Sequence, residues 1–212
     1  MLYHLLYEYL RPLTADWPGF GVLNVFQYIT FRTAMATMTA LAISLGVGPW
    51  LIKRLRHLQI GQNIRDDGPE SHQVKAGTPT MGGVLIVVSI VVSTLLWTDL
   101  ENPFSWLLIG STIAFGAVGF ADDYLKVVRK RSLGLRADAK IGLQVLATIV
   151  IAYVLIDLAA RGSFSTRLTV PFFKLFTPDL VFGQAQNPPL LLLGAVPFLV
   201  FIGLVIVGSS NA

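Results

Sequence analysis

Two adjacent carboxylates, Asp122 and Asp123, close an apolar run in the stretch Gly119-Phe-Ala-Asp-Asp-Tyr124. Side by side at a membrane boundary they disfavour each other, and a helix ending there would add about 0.3–1 kcal/mol of dipole cost per charge. A cation offsets both effects. Lys126 stands where a continuing helix would let it reach either carboxylate, at i+4 from Asp122 and i+3 from Asp123. The same pair suits Mg²⁺ and a phosphate oxygen, because that ion typically takes one or two carboxylates and substrate phosphates. Taken alone, the pair reads more simply as a juxtamembrane charge pair marking where a helix leaves lipid.

A second group of candidates precedes it. The stretch Gly61-Gln-Asn-Ile-Arg-Asp-Asp-Gly-Pro-Glu-Ser-His72 is followed by Lys75-Ala-Gly-Thr-Pro-Thr-Met-Gly-Gly83, which leads into an apolar segment. Asp67-Gly-Pro is turn chemistry. Thr78 and Thr80 are candidate helix caps, and Gly82 and Gly83 allow close approach of backbone to a phosphate or a neighbouring helix. Amides at a helix start favour anions, and Lys75 adds a point charge. Glycines that serve only turns and packing, with His72 as a surface histidine, explain the same residues. A third group, Lys126-Val-Val-Arg-Lys-Arg131, serves topology and anionic lipid at about 1 kcal/mol per basic residue near the surface, and is equally able to steer anionic substrates toward the carboxylates.

The elements that must position these residues follow from composition. Of 212 residues, 54% are apolar and 13% charged, with a mean hydropathy of +0.66; a soluble domain carries about 25% charged residues. Five apolar segments, at about 33–52, 80–98, 104–121, 141–158 and 190–207, approach the length of about 20 residues that a bilayer core demands. A lipid-exposed backbone satisfies its own hydrogen bonds, and the alternating strands of a barrel are absent, so the expected fold is all-α, a polytopic helical membrane protein read as one transmembrane domain. Residues 53–79 and 122–140 are its long polar loops. Residues 1–20 lack the basic start and compact apolar stretch of a signal peptide and suit a segment lying at the interface.

Eleven of the sixteen basic residues fall in those two loops or at their borders, whereas the turn after the second segment holds Asp99 and Glu101 and no basic residue. The positive-inside rule therefore places both loops in the cytoplasm and the N-terminus outside. The absence of cysteine excludes a disulfide framework and a thiolate metal site. The net charge of +4 flanks apolar segments rather than forming an aromatic-interleaved basic face, which argues against nucleic acid. No Walker A loop, His-Glu-x-x-His stretch or Gly-x-Ser-x-Gly elbow occurs. The last residues, Val205 to Ala212, lack a polar tail, and the chain reads as C-terminally truncated.

Several stretches together resemble the phospho-N-acetylmuramoyl-pentapeptide-transferase family, within the polyprenyl-phosphate phosphosugar transferases. They are Asn24-Val-Phe-Gln-Tyr-Ile-Thr-Phe-Arg32, Arg65-Asp-Asp-Gly-Pro-Glu-Ser-His72, Lys75-Ala-Gly-Thr-Pro-Thr-Met-Gly-Gly83, Gly119-Phe-Ala-Asp-Asp-Tyr-Leu-Lys-Val-Val-Arg-Lys130, Val170-Pro-Phe-Phe-Lys174 and Val207-Gly-Ser-Ser-Asn-Ala212. The resemblance implies a fold of roughly ten helices, of which this chain holds about five. It implies Mg²⁺-dependent transfer of phospho-MurNAc-pentapeptide from UDP-MurNAc-pentapeptide to undecaprenyl phosphate, giving lipid I and UMP at the cytoplasmic face of the bacterial inner membrane. Asp122 and Asp123 match the family's acidic pair, as catalytic residues and metal ligands, with Asp122 preferred for deprotonating or orienting the lipid phosphate. Lys75 and Thr80 match residues around the nucleotide and phosphates. Lys126 joins them as a substrate-binding cation, and Asn211 matches the first asparagine of a motif that continues in the family.

The resemblance also implies that a further aspartate and much of the nucleotide pocket lie beyond Ala212, so the 212 residues alone are expected to be inactive. Two other readings fit the same features: a related transferase using UDP-GlcNAc, and a non-catalytic membrane fragment. A transporter is disfavoured by the scarcity of buried polar residues and the lack of a visible internal repeat. Gly110, Ala114 and Ala117 form a small-residue face for packing within the chain or in a homodimer.

Overall fold

The computed structural model describes residues 1–10, 18–57, 81–129, 134–169, 177–181 and 194–211. Five α-helices carry the apolar sequence: α1 (Ile29–His57), α2 (Gly83–Trp97), α3 (Pro103–Val128), α4 (Ala137–Ala160) and α5 (Val196–Asn211). Ile29–Leu55 within α1, together with α3 and α4, is long and apolar enough to cross a membrane, while α2 and α5 are apolar but shorter. The protein is thus a helical, multi-pass membrane protein. Its surface agrees: large apolar side chains such as Leu45, Ile86, Leu108, Leu146 and Leu204 are exposed, as lipid-facing positions should be.

Each of the five apolar segments contains a helix, but with different ends. α3 continues through Asp122 and Asp123 to Val128, so the pair lies inside a helix and not at its terminus. Hydropathy falls after Ala121, yet no glycine or proline interrupts Asp122 to Val128, and Lys126 pairs back onto the preceding turn. The polar loops are correspondingly shorter than 53–79 and 122–140. Residues 53–57 belong to α1, 122–128 to α3 and 137–140 to α4. α2 starts at Gly83 with Gly82 at its N-cap, and the cap candidates Thr78 and Thr80 lie outside the described residues.

The chain expected to form one domain divides into two compact units, Met1–Arg136 and Ala137–Ala212. In the first, α2 packs against both α1 and α3. Ser89, Ser93 and Trp97 fall four residues apart on α2 and are buried along one face. The Ser44 and Ser89 hydroxyls meet at 3.2 Å, and Trp97 Nε1 donates to Thr39 Oγ1 at 2.9 Å. Small polar residues let backbones approach where lipid supplies no hydrophobic drive. On α3 the close contact is at Gly116, where a Cβ would lie 2.8 Å from Val87 Cγ2. Gly110 has open space around it within the unit.

One end of this unit is closed by a π-helical turn, His4–Tyr9, and a 3₁₀ helix, Pro18–Gln27. The terminal amine donates to the Leu95 carbonyl at 2.8 Å, and the Leu100 N–H donates to His4 Nε2 at 3.0 Å. Arg32 lies 4.3 Å from the centre of the Tyr3 ring. Asn102 caps α3 by accepting from the Phe104 N–H at 2.9 Å, with Pro103 at the first helical position.

In the second unit α4 packs on α5. Gln144, Thr148 and Ala152 recur every four residues and are buried, as is Phe198 of α5. The connection between the helices contains an isolated antiparallel bridge, Arg167 to Asp179. Leu168 N–H donates to the Pro178 carbonyl at 2.9 Å, and Leu180 N–H to that of Thr166 at 3.2 Å.

Candidate active site

Counting 1.5 Å per residue from Pro103 puts Asp122 about 28 Å along α3. That is close to the thickness of a hydrocarbon core, about 30 Å. Aromatic residues mark both levels. Trp106 near the start of α3 is exposed and donates from Nε1 to the Leu100 carbonyl at 2.8 Å. Phe120 and Tyr124 are exposed at the other end and stack at 6.0 Å. Such rings settle at headgroup level. The acidic pair therefore lies about one hydrocarbon thickness from the start of α3, and the helix continues beyond it to Val128.

Lys126 reaches both carboxylates rather than one. Its Nζ lies 2.6 Å from Asp122 Oδ2 and 3.2 Å from Asp123 Oδ1. The other two oxygens accept from backbone. Leu135 N–H donates to Asp122 Oδ1 at 2.8 Å, and Met81 N–H donates to Asp123 Oδ2 at 3.2 Å. Every oxygen of the pair thus accepts at least one donor. Asp122 is the less accessible, with 18% of its side chain exposed against 33% for Asp123. Gly134 lies so close that a Cβ there would be 2.6 Å from the Asp122 carbonyl oxygen. Carboxylates held by hydrogen bonds and an ammonium are ordered oxygen donors, which suits a cation and the phosphates it accompanies.

The structure brings together Asp122, Asp123 and Lys126. Lys75 and Thr80 lie outside the described residues, but Met81, their neighbour in sequence, touches Asp123 directly. Asn211 belongs to the second unit, where its Nδ2 donates to Gln144 Oε1 at 2.6 Å and to the Val207 carbonyl at 2.8 Å. It stands beside an apolar groove of about 580 Å³ whose walls include Ile141, Val145 and Leu204. Gln144, Met81, Gly134 and Leu135 were not candidates from sequence. Buried Gln144 in an apolar run is a signal that can be read in advance. The backbone amides of Met81 and Leu135 are not, because their role depends on chain direction and not on residue type.

A second group of ligand-type side chains gathers near the N-terminus. One ligand atom each from His4, Glu8 and Glu101 lies within 4.8 Å of the others. His4 is already engaged, since Nε2 accepts from Leu100 and Nδ1 lies 2.6 Å from Glu8 Oε2.

Fold and site together define a polytopic helical membrane protein with an ion-paired acidic doublet at one end of a spanning helix. Its sequence is similar over its whole length to phospho-N-acetylmuramoyl-pentapeptide-transferases. The pattern described as phospho-N-acetylmuramoyl-pentapeptide-transferase signature 1 matches residues 75–87. Over the whole chain it is 52% identical to the phospho-N-acetylmuramoyl-pentapeptide-transferase of Koribacter versatilis, covering 55% of that protein, and 47% identical to that of Solibacter usitatus, again covering 55%. Over 84% of the chain it is 54% identical to the Acidobacterium capsulatum protein of the same name, covering 46% of it. The chain spans about half the length of the curated relatives it matches.

Proposed function

We propose that this chain supplies the acidic centre of a transferase that moves phospho-MurNAc-pentapeptide from UDP to undecaprenyl phosphate. The observation that carries the proposal is the Asp122, Asp123 and Lys126 cluster at a membrane boundary, hydrogen-bonded to Met81 of the matched signature. In that reaction an oxygen of the lipid phosphate attacks the β-phosphorus of UDP-MurNAc-pentapeptide. The bond from that phosphorus to the α-phosphate oxygen breaks, and UMP leaves. The lipid is membrane-bound and the nucleotide is water-soluble, so the reacting groups must meet at a boundary, which is the level at which α3 holds the pair.

Phosphoryl transfer asks mainly for positioning and charge neutralisation. Asp122 is the residue we assign to accept a proton from the lipid phosphate or to orient it. Lys126, between the carboxylates, is placed to pair with a phosphate oxygen as well. Lys75 and Thr80, just before Met81, are assigned to the nucleotide and phosphates, and Asn211 to the same substrate. Mg²⁺ fits the donor set, because the pair offers hard carboxylate oxygens. Asp122 and Asp123 would hold the ion, which when bound would neutralise phosphate charge.

The N-terminal segment binds the turn between α2 and α3, so both lie at the end of the first unit away from the acidic pair. With the basic residues that follow α1 and α3, this supports an N-terminus outside and a reaction at the cytoplasmic face of the inner membrane. The test is UMP release by the full-length protein in undecaprenyl-phosphate-containing membranes with Mg²⁺, offered UDP-MurNAc-pentapeptide or UDP-GlcNAc. Release with the first nucleotide alone is expected. Release with the second alone would transfer the reading to a GlcNAc-type enzyme, and release with neither would contradict it.

A further inference from the structure

Met81 has φ of +74°, and among the described residues it is the non-glycine residue in the left-handed region. A side chain with a Cβ is disfavoured there, so such a residue persists only where its surroundings hold it. Two things hold this one. Its side chain is buried, with 8% of the residue exposed, and its N–H donates to Asp123 Oδ2 at 3.2 Å. Its carbonyl meanwhile accepts the Val84 N–H at 3.2 Å in the first turn of α2. The residue therefore joins the start of one helix to a carboxylate on another.

We infer that Met81 is a positioning residue: its left-handed backbone aims an amide at Asp123 and fixes one side of the acidic pair. The inference rests on the functional reading above. Asp122 is held independently on the other side by Leu135 N–H and Lys126. Without the Met81 amide, Asp123 would keep, among the described residues, its longer contact to Lys126, at 3.2 Å, and its carboxylate would be less restrained about its side-chain torsions. The buried methionine side chain acts as the anchor that keeps φ positive. It need not touch substrate.

This separates from a packing role through two substitutions that remove the same side chain. In Met81→Ala the anchor is gone while the left-handed cost remains, so the backbone relaxes and the amide leaves Asp123. In Met81→Gly the anchor is also gone, but positive φ carries no steric cost, so the amide stays available. The full-length proteins, purified and matched by size-exclusion profile, are compared for UMP release. The expected kcat of Met81→Ala is about 5- to 30-fold below that of Met81→Gly, the factor that a left-handed penalty for a Cβ implies. KM for the nucleotide should agree within about twofold between them. Equal kcat in the two variants, at whatever level, would overturn the positioning role, as would a difference confined to KM. A wild-type protein that releases no UMP would instead overturn the functional reading itself, and the role of Met81 with it.

Discussion

At the residue scale, the informative feature is how the two carboxylates are divided among donors. Lys126 bridges them, and one backbone amide from each of two segments takes the remaining oxygens. The ammonium holds two negative charges on successive residues of one helix. Lys126→Met should remove that compensation and lower the thermal midpoint in detergent micelles, whereas Lys126→Arg, which keeps the charge, should lower it less. Equal midpoints for Met and wild type would show that the ion pair is not structural. Gly134 offers a sterically sharper test. A methyl group there meets the Asp122 carbonyl oxygen at 2.6 Å, and the fixed backbone of α3 cannot yield as a side-chain tip would. Gly134→Ala is therefore expected to displace the Leu135 amide, losing a charge-assisted hydrogen bond of roughly 1.5–3 kcal/mol in such settings, read as an earlier unfolding transition.

At the element scale, the contact of α2 with α3 depends on Gly116. Its Cβ would lie 2.8 Å from Val87 Cγ2 and 3.3 Å from Cγ1. Gly116→Ala should destabilise the first unit by about 1–3 kcal/mol as overpacking, and Val87→Ala should relieve it. Non-additive midpoints in the double mutant are the expected result; simple additivity would mean the helices separate without cost. The connection between α4 and α5 gives a pH-dependent prediction. The Thr166 hydroxyl, at 2.6 Å, and then the Val181 N–H, at 3.2 Å, hold the Asp179 carboxyl below its ordinary value of 3.8. A depressed carboxylate contributes stability that is present above its unfolded value and lost as pH falls through the folded one. Amide exchange at Leu168 and Leu180 should accordingly accelerate, relative to its intrinsic rate, below about pH 4. Asp179→Asn should remove that pH step.

Helical class and the five apolar segments were legible in the sequence because lipid leaves the backbone few choices. Lys126 as the partner of the pair was legible too, from i+3 and i+4 spacing. Helix ends were not. Hydropathy ends α3 at Ala121, but a helix can leave the membrane and continue in water to Val128. The role of Met81 was hidden for another reason: nothing in a methionine announces a positive φ. Gln144 carries a signal, a polar residue in an apolar run, but its partner Asn211 is distant in sequence and depends on tertiary packing.

For the molecule as a whole, α3 is the axis of the account: aromatic rings at both ends, an acidic pair at one boundary, and the N-terminal segment fastened at the other. These 212 residues contain no cysteine, so single cysteines introduced into them report the orientation of α3. Single cysteines at the exposed positions Glu101 and Arg129 should react with a membrane-impermeant maleimide from opposite faces, Arg129→Cys from the cytoplasmic one. Labelling of both from one face would contradict a spanning α3. UMP release from UDP-MurNAc-pentapeptide by the full-length protein and its Asp122→Asn variant decides whether the acidic pair is the reaction centre. Asn keeps the shape and an acceptor for Leu135 but cannot take a proton, so kcat should fall by at least about 10²-fold with the protein still folded. A folded Asp122→Asn variant with near wild-type kcat would show that the pair is only a charge cluster at the membrane edge.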